Sequence, residues 1–130
     1  MAKYLYPAIF SKEKENYNVS FPDIPGCITF GRSLQEAYDM AEDALCLILY
    51  SMEEDGDQIP EVSDINAITH GENEIVTLIS CDTISYREKN DNRLVNKTVT
   101  IEFWLNKMAE NAHLNCSRLL RKAIKEELGL

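Results

Sequence analysis

Metal-binding and disulfide signatures are missing from this chain. The four cysteines, Cys27, Cys46, Cys81 and Cys116, lie 19, 35 and 35 residues apart, with no C-x-x-C pair, and His70 and His113 are the only imidazoles. That spacing argues against zinc, and a chain 45% hydrophobic has enough apolar surface to fold without disulfide staples. Reduced thiols and a cytoplasmic location are therefore expected, with no cofactor. No apolar run approaches a membrane span, and Lys3, Lys12, Glu13, Lys14 and Glu15 interrupt the N-terminal stretch where a signal peptide would lie. Basic residues are scarce in one region only. Residues 1–90 carry 6 Lys+Arg against 17 Asp+Glu, a net of −11; residues 91–130 carry 7 against 5, a net of +2. The acidic part would repel nucleic acid and suits a basic protein surface, whereas the C-terminal part does not repel phosphate.

The hydrophobic pattern divides the chain at the same place. Residues 4–10 place Tyr4, Tyr6, Ala8 and Phe10 on one side of a strand that Pro7 restricts to an edge or a bulge. Tyr17, Val19 and Phe21 mark a second strand, the Asp23-Ile24-Pro25-Gly26 turn follows, and 27–30 return as a third. Ser33-Leu34-Gln35-Glu36 is a capping box. It opens an amphipathic helix of about 20 residues with Leu34, Ala37, Tyr38, Ala41, Ala44, Leu45, Ile48 and Met52 on one stripe, ending near Asp55-Gly56. Residues 59–71 read as a loop, 75–80 as a fourth strand, and 86–93 as a linker. The order βββαβ implies an α+β layer with one long helix on a sheet face. On this reading the domains are 1–85, a linker at 86–94, and 95–130.

The tail carries the sharper signal. In 95–101, Val95, Val99 and Ile101 fall on one face and Asn96, Thr98 and Thr100 on the other. Two helical segments follow: Trp104, Leu105, Met108, Ala109 and Ala112 stripe the first, which Glu102 opens. Leu119, Leu120, Ala123, Ile124 and Leu128 stripe the second, which Asn115 caps. One short strand in so small a unit cannot satisfy its own edge, so pairing with a second copy is expected. Such pairing would expose Asn96, Thr98 and Thr100 on a two-stranded ribbon that fits the DNA major groove. Val99, Ile101, Trp104, Leu105, Leu119, Leu120 and Ile124 would form the dimer core.

The run 96–101 with Trp104-Leu105 and 114–124 resembles a ribbon-helix-helix repressor domain. Tyr6-Pro7-Ala8, residues 19–27, Gly31 and residues 33–37 resemble the HicB antitoxin family. Together the two patterns cover nearly the whole chain. The resemblance implies a partial RNase H-like domain without nuclease activity that blocks a small basic RNA-cleaving toxin of the HicA type. It also implies a tail that dimerises, or assembles further to a tetramer, and binds the promoter of its own operon. Asn96, Thr98 and Thr100 would then enter the groove, while Asn115, Cys116 and Ser117 at the second helix's N-terminus would hold a phosphate. The outward acids Asp39, Glu42 and Asp43 are the candidate toxin contacts. Glu102 departs from the pattern, since such domains often carry Pro there. Two other readings stay open: a stand-alone oligomeric regulator without a toxin, and a Mg²⁺-dependent nuclease built on the first domain, for which no convergent carboxylates are evident.

Overall fold

The structure is a computed structural model that describes residues 2–130. It separates into two compact units, residues 1–93 and 94–130. The first is a four-stranded antiparallel sheet of β1 (Lys3–Glu13), β2 (Asn16–Ser20), β3 (Ile28–Gly31) and β4 (Glu74–Asp82), in the order β3-β2-β1-β4. Helix α1 (Leu34–Asp55) lies between β3 and β4 in sequence, and α2 (Thr83–Asn90) follows β4 directly. No helix is long and apolar enough to cross a membrane among the described residues.

Period-two alternation builds the inner sheet face. Tyr6, Ala8 and Phe10 of β1, Val19 of β2, and Ile79 and Cys81 of β4 are buried. Against them α1 turns Ala37, Ala41, Leu45 and Leu49, a row at four-residue steps. Leu49 was absent from the expected stripe, and Leu34, which was in it, is exposed because the first turn lies past the end of the buried row. Small residues let helix and sheet approach closely. A Cβ on Gly31 would come within 2.3 Å of the Ala37 backbone nitrogen, so β3 can pass the helix N-terminus only as glycine.

The turn chemistry follows the sequence closely. The Cys27 amide donates to the Ile24 carbonyl at 3.1 Å across Pro25 and Gly26, and Gly26 takes φ 85°. Ser33 accepts from the Glu36 amide at 3.1 Å, but Glu36 reaches back to the Arg32 amide at 3.3 Å, one residue earlier than a standard capping box. Gly56 closes α1 with φ 71°. Pro7 lies in a strand with neighbours on both sides in the sheet order. The β2 register begins only at Ile9, so the missing N–H of Pro7 interrupts no β1–β2 pairing.

The stretch expected as a linker is largely helical instead. Asp82 caps α2 by accepting from the amides of Ile84 at 3.0 Å and Ser85 at 3.2 Å, a signal in Asp82-Thr83-Ile84-Ser85 that the charge alternation downstream obscured. Arg87 then bonds α2 to α1, with Glu53 at 2.7 Å and Glu54 at 3.1 Å.

The second unit holds α3 (Phe103–Asn111) and α4 (Cys116–Leu128). Residues 95–101, expected as a strand, carry no strand pairing in the single chain, as a lone extended segment has nothing to complete its ladder. Glu102 is the N-cap of α3 rather than its first helical residue, and it makes no side-chain cap bond. His113 occupies a left-handed position, φ 55°, just after α3, which makes it a terminator of that helix.

Candidate functional site

Two surfaces stand out, one in each unit. In the first unit, Asp39, Glu42 and Asp43 of α1 form one wall of an open cleft of about 340 Å³. Ser80, Cys81 and Asp82 at the end of β4, with Ser85, Tyr86, Lys89 and Asn90 of α2, complete it. Asp39 and Asp43 are exposed and Glu42 is half-buried. Asp39 accepts from Gln35 at 3.1 Å, one helical turn away. The outward position of the three acids was legible in the helix pattern. The opposing wall was not, since it depends on α2 lying where a linker was expected.

The carboxylates deeper in this unit are committed to holding it together. Asp23 accepts from the Ser63 amide at 2.9 Å and from its hydroxyl, and the Tyr6 hydroxyl donates to the Pro60 carbonyl; together they pin the 59–71 loop. Burial alone would raise the Glu53 carboxyl. Hydrogen bonds to the carboxylate, among them those from the Tyr4 hydroxyl at 2.7 Å, from Arg87 and from the Thr83 hydroxyl at 3.2 Å, outweigh that and hold it down at about 2. Burial and the same contact push Tyr4 up to about 12. Asp82 is held below its usual range by the α2 amides and hydroxyl it accepts from. Asp91 accepts from Arg93 at 2.7 Å and from the Tyr50 hydroxyl at 2.9 Å, which lower it further. Arg87 also stacks over the Tyr50 ring, 4.7 Å from its centroid. Among the described residues no group of three or more His, Cys, Asp or Glu side chains is placed to hold a metal ion.

In the second unit no described residue is buried. Asn96, Thr98 and Thr100 are exposed, and so are Val99, Ile101, Trp104, Leu105, Leu119 and Ile124; Leu120 alone of the expected dimer-core set is half-buried. Trp104 is 61% exposed, and its neighbour Phe103, which the helical stripe did not single out, is 77% exposed. At the start of α4, Asn115 accepts from the Arg118 amide at 3.0 Å as a true N-cap, with Cys116 and Ser117 as the first two helical residues. A groove of about 340 Å³ beside them is lined by His113, Leu114, Asn115, Arg118, Leu119 and Lys122. Further along α4, Arg121 and Lys125 join Arg118 and Lys122 around a second shallow groove. The structure thus puts Cys116 and Ser117 at the start of the helix whose Arg118 and Lys122 line that groove. It does not bring them together with Asn96, Thr98 and Thr100 as one site.

Comparison with known proteins defines the class. Residues 6–124 match the family described as HicB-like antitoxin of bacterial toxin–antitoxin systems, and the chain belongs to that family. It is 40% identical over 58 residues to antitoxin HicB 2 of Photorhabdus laumondii subsp. laumondii, a match covering 45% of this chain and 42% of that protein. It is 38% identical over 66 residues to antitoxin HicB of Escherichia coli K12, covering 50% and 48%. The chain therefore spans about half the length of the curated relatives it matches. Among solved structures, a toxin–antitoxin complex from Streptococcus pneumoniae contains a chain 26% identical, with TM-score 0.64, covering 96% of this chain and 99% of that one. The antitoxin HicB of Burkholderia pseudomallei, 23% identical with TM-score 0.52, covers 98% and 99% and shares the fold. The α+β architecture is thus that of HicB structures.

Proposed function

We propose that this chain is the antitoxin of a toxin–antitoxin pair, and that its two units divide the work. The first unit, read as a partial RNase H-like domain, covers the RNA-cleaving site of a small basic HicA-type toxin and needs no chemistry to do so. Asp39, Glu42 and Asp43 attract the basic partner, and the bulk of the α1–β4–α2 surface excludes RNA. The second unit pairs its 95–101 segment with that of a second copy as a ribbon-helix-helix dimer, which buries the α3 and α4 stripes. The resulting ribbon offers Asn96, Thr98 and Thr100 to the major groove of the operator, while the Asn115-Cys116-Ser117 end of α4 holds a backbone phosphate. Binding there represses the operon.

The observation that carries this reading is the state of residues 94–130: two helices, the second capped by Asn115 and closed by Gly129, with their apolar side chains left in water. A unit of that size has no stable fold until a second surface covers it. Two experiments test the halves separately. Thr98→Ala with Thr100→Ala is expected to abolish operator shifts while the circular dichroism spectrum stays unchanged; undiminished operator affinity overturns the readout. Full-length chain mixed with the protein encoded by a neighbouring short basic reading frame is expected to suppress its RNA cleavage stoichiometrically. Asp39→Lys with Asp43→Lys is expected to weaken that suppression at least tenfold, as two reversed charges across a basic interface cost at least about 1.4 kcal/mol. RNA cleavage by the chain itself would replace this reading with the nuclease one.

A further inference from the structure

Sheet order leaves β4 at one edge, with no strand beyond it among the described residues. The opposite edge, β3, is only four residues long and ends at Gly31 against α1, which keeps it from templating another chain. Nothing of that kind guards β4. It runs nine residues in unbroken register with β1, and its 75–81 stretch, Ile-Val-Thr-Leu-Ile-Ser-Cys, holds neither a charge nor a proline.

Which of its backbone groups are free follows from the ladder. The Lys12 amide donates to the Asn73 carbonyl at 3.3 Å, and these two residues continue the register one step past Ser11 and Glu74. Bonded pairs recur at every second residue of an antiparallel ladder. Ile75, Thr77, Ile79 and Cys81 therefore bond to β1, and Val76, Leu78 and Ser80 turn their amides and carbonyls outward. Pro7 fits that assignment, because it lies opposite Leu78, where β1 donates no bond to β4. The outward groups have no other hydrogen-bond partner among the described residues. Ile65, Asn66 and Ile68 border the strand at Glu74–Val76, and the acidic cleft borders it at Ser80–Asp82, so 76–80 lie open between them.

We propose that β4 is the edge on which the basic partner docks: an extended segment of that protein adds to the sheet along 76–80, and its cationic side chains meet the acids of the adjoining cleft. The inference rests on the toxin-blocking reading above and adds the mode of binding to it. Main-chain bonds to Val76, Leu78 and Ser80 hold the added strand. The cleft sets the sign of the partner, since Asp39, Glu42, Asp43 and Asp82 stand there against Lys89 alone. A second copy suits this edge poorly. Two β4 strands paired antiparallel about Leu78 would set each Glu74 opposite the other copy's Asp82, like charges directly across, and residues 1–90 of each copy carry a net of −11.

The test is amide exchange of the full chain, followed residue by residue by NMR, alone and with the protein encoded by the neighbouring short basic reading frame. Alone, Thr77 and Ile79 are expected to be protected while Val76, Leu78 and Ser80 exchange quickly. With the partner, those three are expected to slow by about tenfold or more, so that protection becomes continuous along 76–80. Leu78→Pro removes one outward donor and none of the β1 ladder. It is expected to weaken suppression of RNA cleavage about tenfold with an unchanged circular dichroism spectrum. Suppression with the three wild-type amides still exchanging overturns strand addition and leaves the toxin-blocking reading intact; no binding at all overturns both. Protection of the three amides in the free chain also overturns the proposal, and protection that grows with chain concentration identifies a second copy as the occupant. The wild-type exchange map decides the matter if the proline variant misfolds.

Discussion

Residues 1–93 and 94–130 are both rich in apolar side chains at regular spacing, yet only the first unit buries them. In the first, Tyr6, Leu45, Leu49 and Ile79 are fully enclosed between a sheet face and a helix. In the second, Val95, Phe103, Trp104, Met108 and Leu128 stand in water. The same pattern therefore has two meanings. An apolar row opposite another element of its own chain is a core. An apolar row that its own unit leaves exposed is, on the proposed function, the surface that a second copy covers.

The contrast can be tested by making one kind of change in both units. Leu45→Ala leaves a cavity under α1 and is expected to cost about 2–5 kcal/mol, read as a lowered denaturation midpoint. Leu119→Ala removes a side chain that is half in water, so at high dilution it should cost under about 0.5 kcal/mol while weakening self-association markedly. Equal losses for the two at high dilution would erase the distinction. Next in size is the Glu53–Arg87 bond, whose carboxylate is 6% exposed. Glu53→Gln is expected to cost about 2–3 kcal/mol. Because Glu53 is held below its ordinary 4.5, its stabilisation is complete above that value and is lost as pH falls from there through about 2. Acid should thus loosen the first unit through this carboxylate, and the Gln variant should show a flatter stability profile across that window.

A smaller but cleaner readout comes from Trp104, the chain's single tryptophan, which lies in the second unit. If the proposed dimer forms, its emission should shift to the blue as protein concentration rises, with no matching change in the first unit's unfolding. An emission maximum independent of concentration would break the comparison. Last, Ser33→Ala removes the α1 cap and should cost about 1 kcal/mol, confined to the first unit.

Much of the first unit was legible before any coordinates. The alternation of Tyr6, Ala8 and Phe10, the turn at Pro25-Gly26, the cap at Ser33 and the stop at Gly56 are local devices, each written in a few adjacent residues whose own geometry dictates them. The α2 helix was obscured because its composition is mostly polar; Asp82 caps it, and its packing on α1 through Arg87 supports it. The acidic cleft was invisible for the same reason: the helix pattern showed Asp39, Glu42 and Asp43 facing outward, but their opposing wall is built by α2.

Sequence alone determined the four strands of the first unit, α1, α3 and α4 in outline, the turn at Pro25-Gly26, the caps at Ser33 and Asn115, and the change of charge sign near residue 90, because these depend on residues within one or two turns of each other. Tertiary structure decided which faces became core. It set Leu49 inside and Leu34 outside, made Gly31 indispensable where β3 passes α1, and gathered Glu53, Tyr4, Thr83 and Arg87 into one bonded cluster. Burial and contact belong to pairs of distant segments, and no single segment carries the information that its partner will be there.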